Sequence, residues 1–215
     1  MKIAILGATS LIAKDFILAL TKDPNIYLSL FARQPQRVLE WLKQNGKSIN
    51  IETADFEQFT NDKDFDAVIN FVGAGDPVQI AKMGAEILNV SFEYDSMVLS
   101  YLQNHPSCKY IFLSSGAAYG DSFLSPVDYN STASISINRL SPQDWYGIAK
   151  LHAECRHRAH PHFTITDIRI FNYISPTQDL SSRSLITDIF RSIRDKEILM
   201  TNPETIVRDF LHADD

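Results

Sequence analysis

The sequence predicts an α/β protein built on a doubly wound parallel sheet with helices on both faces. Short, continuously apolar segments alternate with longer segments of helical periodicity along most of the 215 residues. Strands that are apolar throughout are typical of parallel sheets covered on both faces. The first strand–helix–strand unit is complete within about 31 residues, the size of one crossover unit. Consecutive units of this kind give a twisted sheet with right-handed crossovers.

The predicted elements follow in chain order, and most of them end at a turn or a helix breaker. The first helix is broken by Asp23-Pro24-Asn25, the second ends at Gly46, and the long third helix stops before Pro106. A polar loop over residues 121–143 precedes the fourth helix. Strands are predicted over residues 3–6, 26–31, 49–53, 67–72, 109–113 and 164–171, and helices over 11–20, 35–46, 78–103, 144–157 and 185–193.

Composition and charge exclude several classes of protein. The chain is 45% hydrophobic and 21% charged, as expected of a globular protein and not of a disordered one. Its net charge of -6 argues against a nonspecific nucleic-acid binder. No apolar run approaches the roughly 20 residues of a membrane span. Because the start of the chain also lacks the layout of a signal peptide, we expect a cytoplasmic protein with no membrane partner.

The cysteines and histidines suggest neither a disulfide nor a metal site. Cys108 and Cys155 have no CxxC spacing, which suits a reducing compartment, and we interpret both as structural residues that pack as small hydrophobes. No HExxH pattern is present, and Pro161 interrupts the helical register, so we interpret the histidines as a histidine-rich helix end and expect no metal. The four histidines of this helix end are His152, His157, His160 and His162.

The first turn contains a candidate anion site. Residues 7–13 lie where the N-terminus of a helix presents free amides and a positive dipole. Small residues fall at Gly7, Ser10 and Ala13, the rhythm of a dinucleotide-binding turn in which only the first residue is glycine here. An ordinary strand-to-helix turn is the alternative. The residues predicted to hold the pyrophosphate are Gly7, Thr9, Ser10, Leu11 and Ile12.

The ends of the second and third strands contain candidate adenosine contacts. In dinucleotide-binding folds, the residues at the end of the second strand normally contact the adenosine ribose of the cofactor. An acidic residue there binds the 2'-hydroxyl of NAD, and an arginine binds the 2'-phosphate of NADP. No acid follows Phe31, whereas Arg33 and Arg37 offer cations, so NADP is predicted and NAD is the alternative. A solvated surface arginine would explain Arg33 as well. Asp55 and Phe56 are placed to contact the adenine, although a helix N-cap also explains Asp55.

Tyr146 and Lys150 form a candidate acid–base pair. They lie four residues apart in a segment of helical pattern, so both side chains leave the same face. An ammonium held beside a phenol favours the phenolate, and we expect it to lower the tyrosine pKa by about 1 to 3 units. Proton transfer near neutral pH would then be within reach.

With these residues, several further motifs resemble one protein family. The chain is similar to the extended short-chain dehydrogenases/reductases, the NAD-dependent epimerase/dehydratase group that works mostly on nucleotide sugars. The motifs cover essentially the whole chain in the order found in that family. They are the turn from Gly7, Asp55-Phe56, Phe71-Val72-Gly73-Ala74, Ser114-Ser115-Gly116-Ala117-Ala118-Tyr119-Gly120, Tyr146 with Lys150, Arg169-Ile170-Phe171-Asn172, and Val207-Arg208-Asp209-Phe210-Leu211-His212-Ala213-Asp214-Asp215.

The resemblance implies a dinucleotide-binding Rossmann fold and a role for each matching residue. Ser115 would contact the reacting oxygen of the substrate, and Tyr146 would exchange a proton with it during hydride transfer. Lys150 would hold the nicotinamide ribose and tune Tyr146. Asn172 and Arg208 would contact the nucleotide diphosphate of a nucleotide-sugar substrate. The remaining cofactor contacts implied are Val72, Gly73 and Ala74.

Two departures from the family pattern narrow the prediction. Gly116 and Ala117 stand where the dehydratase branch has an Asp-Glu pair, which leaves epimerisation or reduction of a keto-sugar. The family usually continues for about a hundred more residues, so we expect the C-terminal substrate lobe to be largely absent, in either a fragment or a shortened protein. The predicted domains are a cofactor-binding domain over residues 1–175 and the truncated start of a substrate lobe over 176–215.

The sequence leaves two functions open. The first is an NAD(P)-dependent oxidoreductase or epimerase acting on a nucleotide-linked sugar. The alternative is a non-catalytic NADP-binding module that acts as a sensor or scaffold. The resemblance also suggests a homodimer formed through the long helices over residues 78–103 and 144–157.

Overall fold

A computed structural model describes residues 1–47, 50–74, 77–120, 126–142, 144–181, 184–201 and 207–215. The chain divides into two compact units, Met1–Ile170 and Phe171–Asp215. The first unit contains the parallel sheet and its helices. Within its described residues, the second contains a short strand pair and a helix.

Six strands of the first unit form one parallel sheet. Their order is β3-β2-β1-β4-β5-β6, and every neighbouring pair is parallel. The order reverses between β1 and β4, which makes this the switch point of a doubly wound sheet. The predicted fold class is confirmed. The strands are β1 (Lys2–Leu6), β2 (Tyr27–Phe31), β3 (Ile51–Ala54), β4 (Ala67–Asn70), β5 (Lys109–Ser115) and β6 (Ile165–Ile170).

Helices cover both faces of this sheet. Alternate residues of a strand point to opposite faces, so β1 contributes Ile3 and Ile5 to one core and Ala4 and Leu6 to the other. The first core is closed by α1 and α2, and the second by α4 and α5. The helices of this unit are α1 (Leu11–Leu20), α2 (Pro35–Gln44), α3 (Pro77–Met83), α4 (Glu86–Asn104) and α5 (Asp144–Arg158).

The prediction of a single helix over residues 78–103 is wrong. The chain forms two helices there, and Gly84 lies between them with a φ of +53°. Its amide donates to the carbonyl of Ile80 at 2.9 Å, as at the end of a helix. A left-handed glycine ends α3, and α4 begins two residues later at Glu86.

Other differences concern the ends of elements. The strand predicted over 67–72 ends at Asn70, because the amide of Val72 bonds to the Asn70 side chain instead of a neighbouring strand. The predicted start of the third strand, Ile49, lies outside the described residues, as do residues 121–125 and Gln143 of the predicted polar loop.

The two cysteines differ in environment. Cys108 is buried in the core, and burial raises the pKa of its thiol to about 11. Cys155 is exposed on α5, so the expectation that both pack as small hydrophobes is wrong for Cys155. It lies on the outward side of a helix whose opposite face meets the sheet.

The second unit contains a two-stranded parallel pair and a helix. β7 (Tyr173–Ile174) pairs with β8 (Leu211–His212), and α6 spans Leu185–Asp195. Ser184 begins α6 with a reciprocal capping box to Thr187. Among the described residues of the whole chain, no helix is both long enough and apolar enough to span a membrane.

Candidate active site

The candidate site lies at the carboxyl ends of the strands around the switch point. Gly7 follows β1, Val72 follows β4, and Ser115 is the last residue of β5. In open α/β sheets, ligands bind outside the carboxyl ends of the strands at such a point. The topology therefore gathers three segments that are far apart in sequence.

The turn after β1 fits tightly between two neighbouring strands. Gly7 has a φ of +78°, and a Cβ placed there would lie 2.9 Å from the carbonyl carbon of Phe71. Its amide donates to the carbonyl of Phe31 at 2.9 Å. Both the backbone conformation and the close approach of the chain after β4 require glycine.

The first turn of α1 begins at a serine cap and contains amides that have no intrahelical acceptor. Ser10 is the N-cap, and its hydroxyl accepts a hydrogen bond from the amide of Ala13 at 3.2 Å. Ala13 is fully buried, so the third small residue of the turn packs into the core. The amides of Leu11 and Ile12 belong to the first turn, which has no intrahelical acceptors for them. Thr9 is exposed beside them.

The ends of β2 and β3 lie side by side. The amide of Ala32 donates to the carbonyl of Ala54 at 3.1 Å, which aligns the chain before Arg33 with the chain before Asp55. Arg33 is exposed. Asp55 caps a short 3₁₀ turn by accepting from the amide of Gln58 at 3.2 Å.

Phe56 packs against the side of α4. Its ring lies 4.4 Å from that of Tyr94, centroid to centroid. Burial raises the pKa of Tyr94, and the nearby charge of Arg33 opposes this rise. Arg33, Phe56 and Tyr94 therefore lie in one neighbourhood.

The segment after β4 leads towards Lys150. Val72 donates to the Asn70 side chain at 2.9 Å. A Cβ on Gly73 would lie 3.6 Å from the Lys150 Nζ. Ala74 is buried and packs with Ile87. This backbone thus lies beside the ammonium at the switch point.

The Ser115 hydroxyl lies close enough to the Tyr146 phenol to lower the pKa of that phenol. Ser115 also caps the 3₁₀ turn Gly116–Tyr119, where its hydroxyl accepts from the amide of Ala117 at 3.2 Å. Helix α5 approaches this turn at Gly147, where an added Cβ would lie 2.5 Å from the carbonyl oxygen of Ala117. A glycine next to Tyr146 thus allows the helix to bring the phenol to Ser115.

Lys150 is buried under the same helix, at 4% exposure. Its Nζ donates to the carbonyl oxygen of Leu113 at 2.5 Å and lies 4.5 Å from the centroid of the Phe112 ring. Burial lowers the pKa of Lys150 to about 8, although the carboxylates of Asp95 and Glu154 oppose this shift.

The expectation that Lys150 lowers the pKa of Tyr146 is wrong for this structure. Burial raises the pKa of the phenol, and the Ser115 hydroxyl beside it only partly offsets that rise. The Lys150 Nζ is 5.7 Å from the centroid of the Tyr146 ring, and it bonds to the backbone of β5. One helical turn brings the two residues to the same face, but it does not bring their charged atoms together.

Two buried carboxylates behind this site were not expected from the sequence. Glu154 lies on α5 and Asp95 on α4, and both side chains are almost fully buried. The position of Glu154, four residues after Lys150, is a signal that sequence reasoning could have used. Asp95 offers no comparable signal, because its partners come from other elements.

The histidines near the end of α5 do not converge. His157 is buried, whereas His152 is exposed and stacks on Phe92 with ring centroids 5.9 Å apart. The His160 and His162 rings lie 5.7 Å apart. Within the described ranges, no three His, Cys, Asp or Glu side chains are grouped closely enough to hold a metal ion.

The last two predicted site residues lie in the second unit. The Asn172 side chain donates to the carbonyl of Asp209 at 2.7 Å, and the Asn172 backbone carbonyl accepts from the amide of Leu211 at 3.0 Å. Arg208 is exposed and precedes Asp209. Asn172 therefore connects the start of β7 to the segment that carries Arg208.

Comparisons with known proteins agree with this architecture. The model of the NAD dependent epimerase/dehydratase family matches residues 3–215. No curated protein matches the chain in sequence.

Several solved structures share the fold at low identity. UDP-glucuronic acid 4-epimerase from Bacillus cereus, in complex with NAD, is 20% identical over 100% of this chain and 70% of its own, with a TM-score of 0.75. UDP-N-acetylglucosamine 4-epimerase from Methanobrevibacter ruminantium M1 is 19% identical over 99% of this chain and 69% of its own, with a TM-score of 0.78. UDP-glucose 4-epimerase from Thermotoga maritima is 19% identical over 100% and 70%, with a TM-score of 0.74.

Proposed function

The chain belongs to the NAD dependent epimerase/dehydratase family, and from that premise we propose that it is an NAD(P)-dependent epimerase or keto-sugar reductase acting on a nucleotide-linked sugar. The observation that carries the proposal is the placement of the Ser115 hydroxyl beside the Tyr146 phenol, one helical turn from the buried Lys150. An orienting hydroxyl, an acid–base group and a cation are the parts that hydride transfer to or from a carbonyl needs.

The residues at the switch point fit a dinucleotide. Gly7 keeps side-chain atoms out of the turn before α1, and the amides of Leu11 and Ile12 can bind a pyrophosphate. Lys150, beside Gly73, can hold the nicotinamide ribose. When bound, such a cofactor supplies the hydride acceptor or donor.

The protonation state of Tyr146 suits the reduction half of the reaction. Because burial raises its pKa, Tyr146 is a neutral phenol at pH 7. A neutral phenol can donate a proton to the oxygen of a keto-sugar while Ser115 orients that oxygen. In the reverse direction, Tyr146 must first lose a proton and then accept the one released by the sugar hydroxyl.

The turn after β5 favours epimerisation or reduction over dehydration. Eliminating water from a sugar needs an additional acid and base close to the reacting carbons. Gly116 and Ala117, which follow Ser115 directly, supply neither. Asn172 and Arg208 are proposed to bind the nucleotide diphosphate, for which a guanidinium is well suited.

Arg33 supports NADP as the cofactor, with NAD as the alternative. It is exposed at the end of β2, where a cation can bind a 2'-phosphate. NAD is the cofactor named for the Bacillus cereus structure. We expect Arg33→Ala to weaken NADP binding more than NAD binding, measured by titration of each dinucleotide. Equal weakening would contradict the role given to Arg33.

The enzymatic function is tested with a panel of nucleotide sugars and nucleotide keto-sugars. Turnover is followed by product analysis and by absorbance of the reduced nicotinamide. We expect Tyr146→Phe to reduce turnover by about 10²–10⁴-fold, the usual contribution of a general acid–base group. Tyr27→Phe makes the same chemical change at an exposed position at the start of β2 and should leave turnover unchanged.

The alternative is a non-catalytic module that binds NADP as a sensor or scaffold. It predicts cofactor binding with neither turnover nor transient reduction for any member of the panel. That result with folded wild-type protein would refute the enzymatic function. Turnover that survives Tyr146→Phe unchanged would refute the role of Tyr146.

A further inference from the structure

Glu154 is the centre of a buried ion pair directly behind the candidate site. It is 1% exposed. Its Oε1 accepts hydrogen bonds from the Ser114 hydroxyl at 2.5 Å and from the Arg169 Nε at 2.8 Å. Its Oε2 accepts from the Arg169 Nη2 at 2.5 Å. The carboxylate on α5 therefore binds the end of β5 and the end of β6 at once.

The same ion pair reaches both ends of the turn that carries Ser115. Ser114 directly precedes Ser115, and Tyr119 closes the turn that follows it. The Arg169 Nη1 donates to the Tyr119 hydroxyl at 2.5 Å, and its guanidinium carbon lies 4.6 Å from the ring centroid. Hydrogen bonds to a forked guanidinium are directional, so they fix angles as well as distances.

Glu154 also shares a helix face with the candidate acid–base residues. It lies four residues after Lys150 and eight after Tyr146, which is close to two helical turns. The group that holds the end of β5 therefore also fixes the rotation of α5 about its axis.

The charge of Glu154 acts on Lys150 as well. Burial alone would raise the pKa of Glu154, but the hydrogen bonds from Arg169 and Ser114 outweigh it and hold that pKa low. The carboxylate stays ionised, and its charge opposes the effect of burial on the pKa of Lys150. The other groups around the ammonium are Asp95 from α4, Tyr146 from α5, and the Phe112 ring and Leu113 carbonyl from β5.

We propose that Glu154, through Arg169 and Ser114, is a positioning residue that holds Ser115, Tyr146 and Lys150 in register. This inference rests on the proposed function. A buried ion pair is by itself weak evidence for stability, because a well-packed apolar set of similar volume is often as stable. Apolar residues of similar volume could supply neither the directional hydrogen bonds to the turn of Ser115 nor the negative charge near Lys150.

The test is Glu154→Gln, which keeps the shape of the side chain and removes its charge. We expect kcat to fall by about 10–100-fold with KM and cofactor affinity nearly unchanged, because small misplacements of reacting groups reduce rates by such factors. Glu40→Gln, an exposed glutamate on α2, is the matched control and should behave as wild type.

The pH profile separates positioning from a purely structural role. Activity that needs protonated Lys150 falls as pH rises through its pKa of about 8. Removing a neighbouring negative charge lowers that pKa, so the alkaline limb of kcat/KM should move to lower pH in Glu154→Gln. A folded Glu154→Gln protein with wild-type kcat and an unmoved alkaline limb would overturn the proposal.

Two further measurements keep the proposal testable. If Glu154→Gln does not fold, Arg169→Lys is the second variant, because it keeps both charges of the ion pair and loses the forked guanidinium. Its kcat should fall while the alkaline limb of kcat/KM stays in place. A wild-type kcat in this variant would overturn the proposal. If wild-type protein turns over no sugar, the proposed function fails. The Lys150 pKa can then be measured by NMR of lysine-labelled protein, and an equal pKa in wild type and Glu154→Gln would overturn the inference.

Discussion

The polar side chains in the two halves of α5 have different kinds of hydrogen-bond partner. In the first half, Tyr146 lies beside the Ser115 hydroxyl, and Lys150 donates to a backbone carbonyl. In the second half, His157 is hydrogen-bonded at both ring nitrogens, to Asp95 at 2.7 Å and to Asp167 at 2.5 Å. Groups paired with full charges hold the helix in place. The groups with weaker partners are those that the proposed function assigns to the substrate and cofactor.

The same contrast is visible in two buried cations. Burial alone would lower the pKa of both His157 and Lys150. For His157, hydrogen bonds to Asp167 and Asp95 outweigh burial and raise the pKa to about 9. For Lys150 the carboxylates act without direct contact, and its pKa falls to about 8. A direct hydrogen bond to a carboxylate, more than depth of burial, decides whether the pKa of a buried cation rises or falls.

Removing the histidine tests the structural half of this comparison. His157→Ala removes the ring that joins Asp95 and Asp167, but Asp95 keeps Arg156 and Asp167 keeps Arg158. The loss of folding free energy should therefore be about 3 kcal/mol, at the low end of the cost of breaking a buried ion pair. His152→Ala, on the exposed side of the same helix, should cost less than about 1 kcal/mol. Urea unfolding of both variants measures the difference. Equal losses of folding free energy in the two variants would contradict the structural role given to His157. A loss of turnover in His157→Ala without a loss of stability would contradict it as well.

The pH dependence of stability sharpens the same point. The pKa of His157 rises from 6.5 to about 9 on folding, so the bound proton stabilises the native state below pH 6.5. This contribution, about 3 kcal/mol, is lost as pH rises through 9. We expect wild-type protein to lose about that much more stability between pH 6 and pH 9.5 than His157→Ala does. Parallel pH curves would show that His157 is not charged in the fold.

A substitution at Gly147 should have a smaller effect and tests how closely the first half of α5 approaches the Ser115 turn. Alanine in a helix interior is ordinarily about 1 kcal/mol better than glycine. Here its Cβ would lie 2.5 Å from the Ala117 carbonyl oxygen, which overpacks the contact and should cost about 1–3 kcal/mol. Gly147→Ala should therefore lower both the unfolding midpoint and the turnover, because α5 must move away from the Ser115 turn. A more stable variant would mean that this contact does not limit the approach of the helix.

Much of the candidate site could be predicted because its parts are local in sequence. The Gly7 turn, the end of β5 with Ser115, and the four-residue spacing of Tyr146 and Lys150 each lie within a few residues. A parallel sheet then brings the carboxyl ends of its strands to one edge. The break at Gly84 was missed because apolar periodicity continues across it, and only the backbone conformation ends the helix.

The sequence by itself determined the order of strands and helices, the glycine turn and the family of motifs, because periodicity and spacing act over short stretches of chain. Only the tertiary structure decided which distant side chains meet. His157 and Asp95 are 62 residues apart, and Ser114 and Glu154 are 40 apart. It also decided that Tyr146 has a raised pKa, since that depends on burial and on where the Lys150 ammonium lies. Electrostatic effects depend on distance and solvent exposure in three dimensions, which residue spacing does not record.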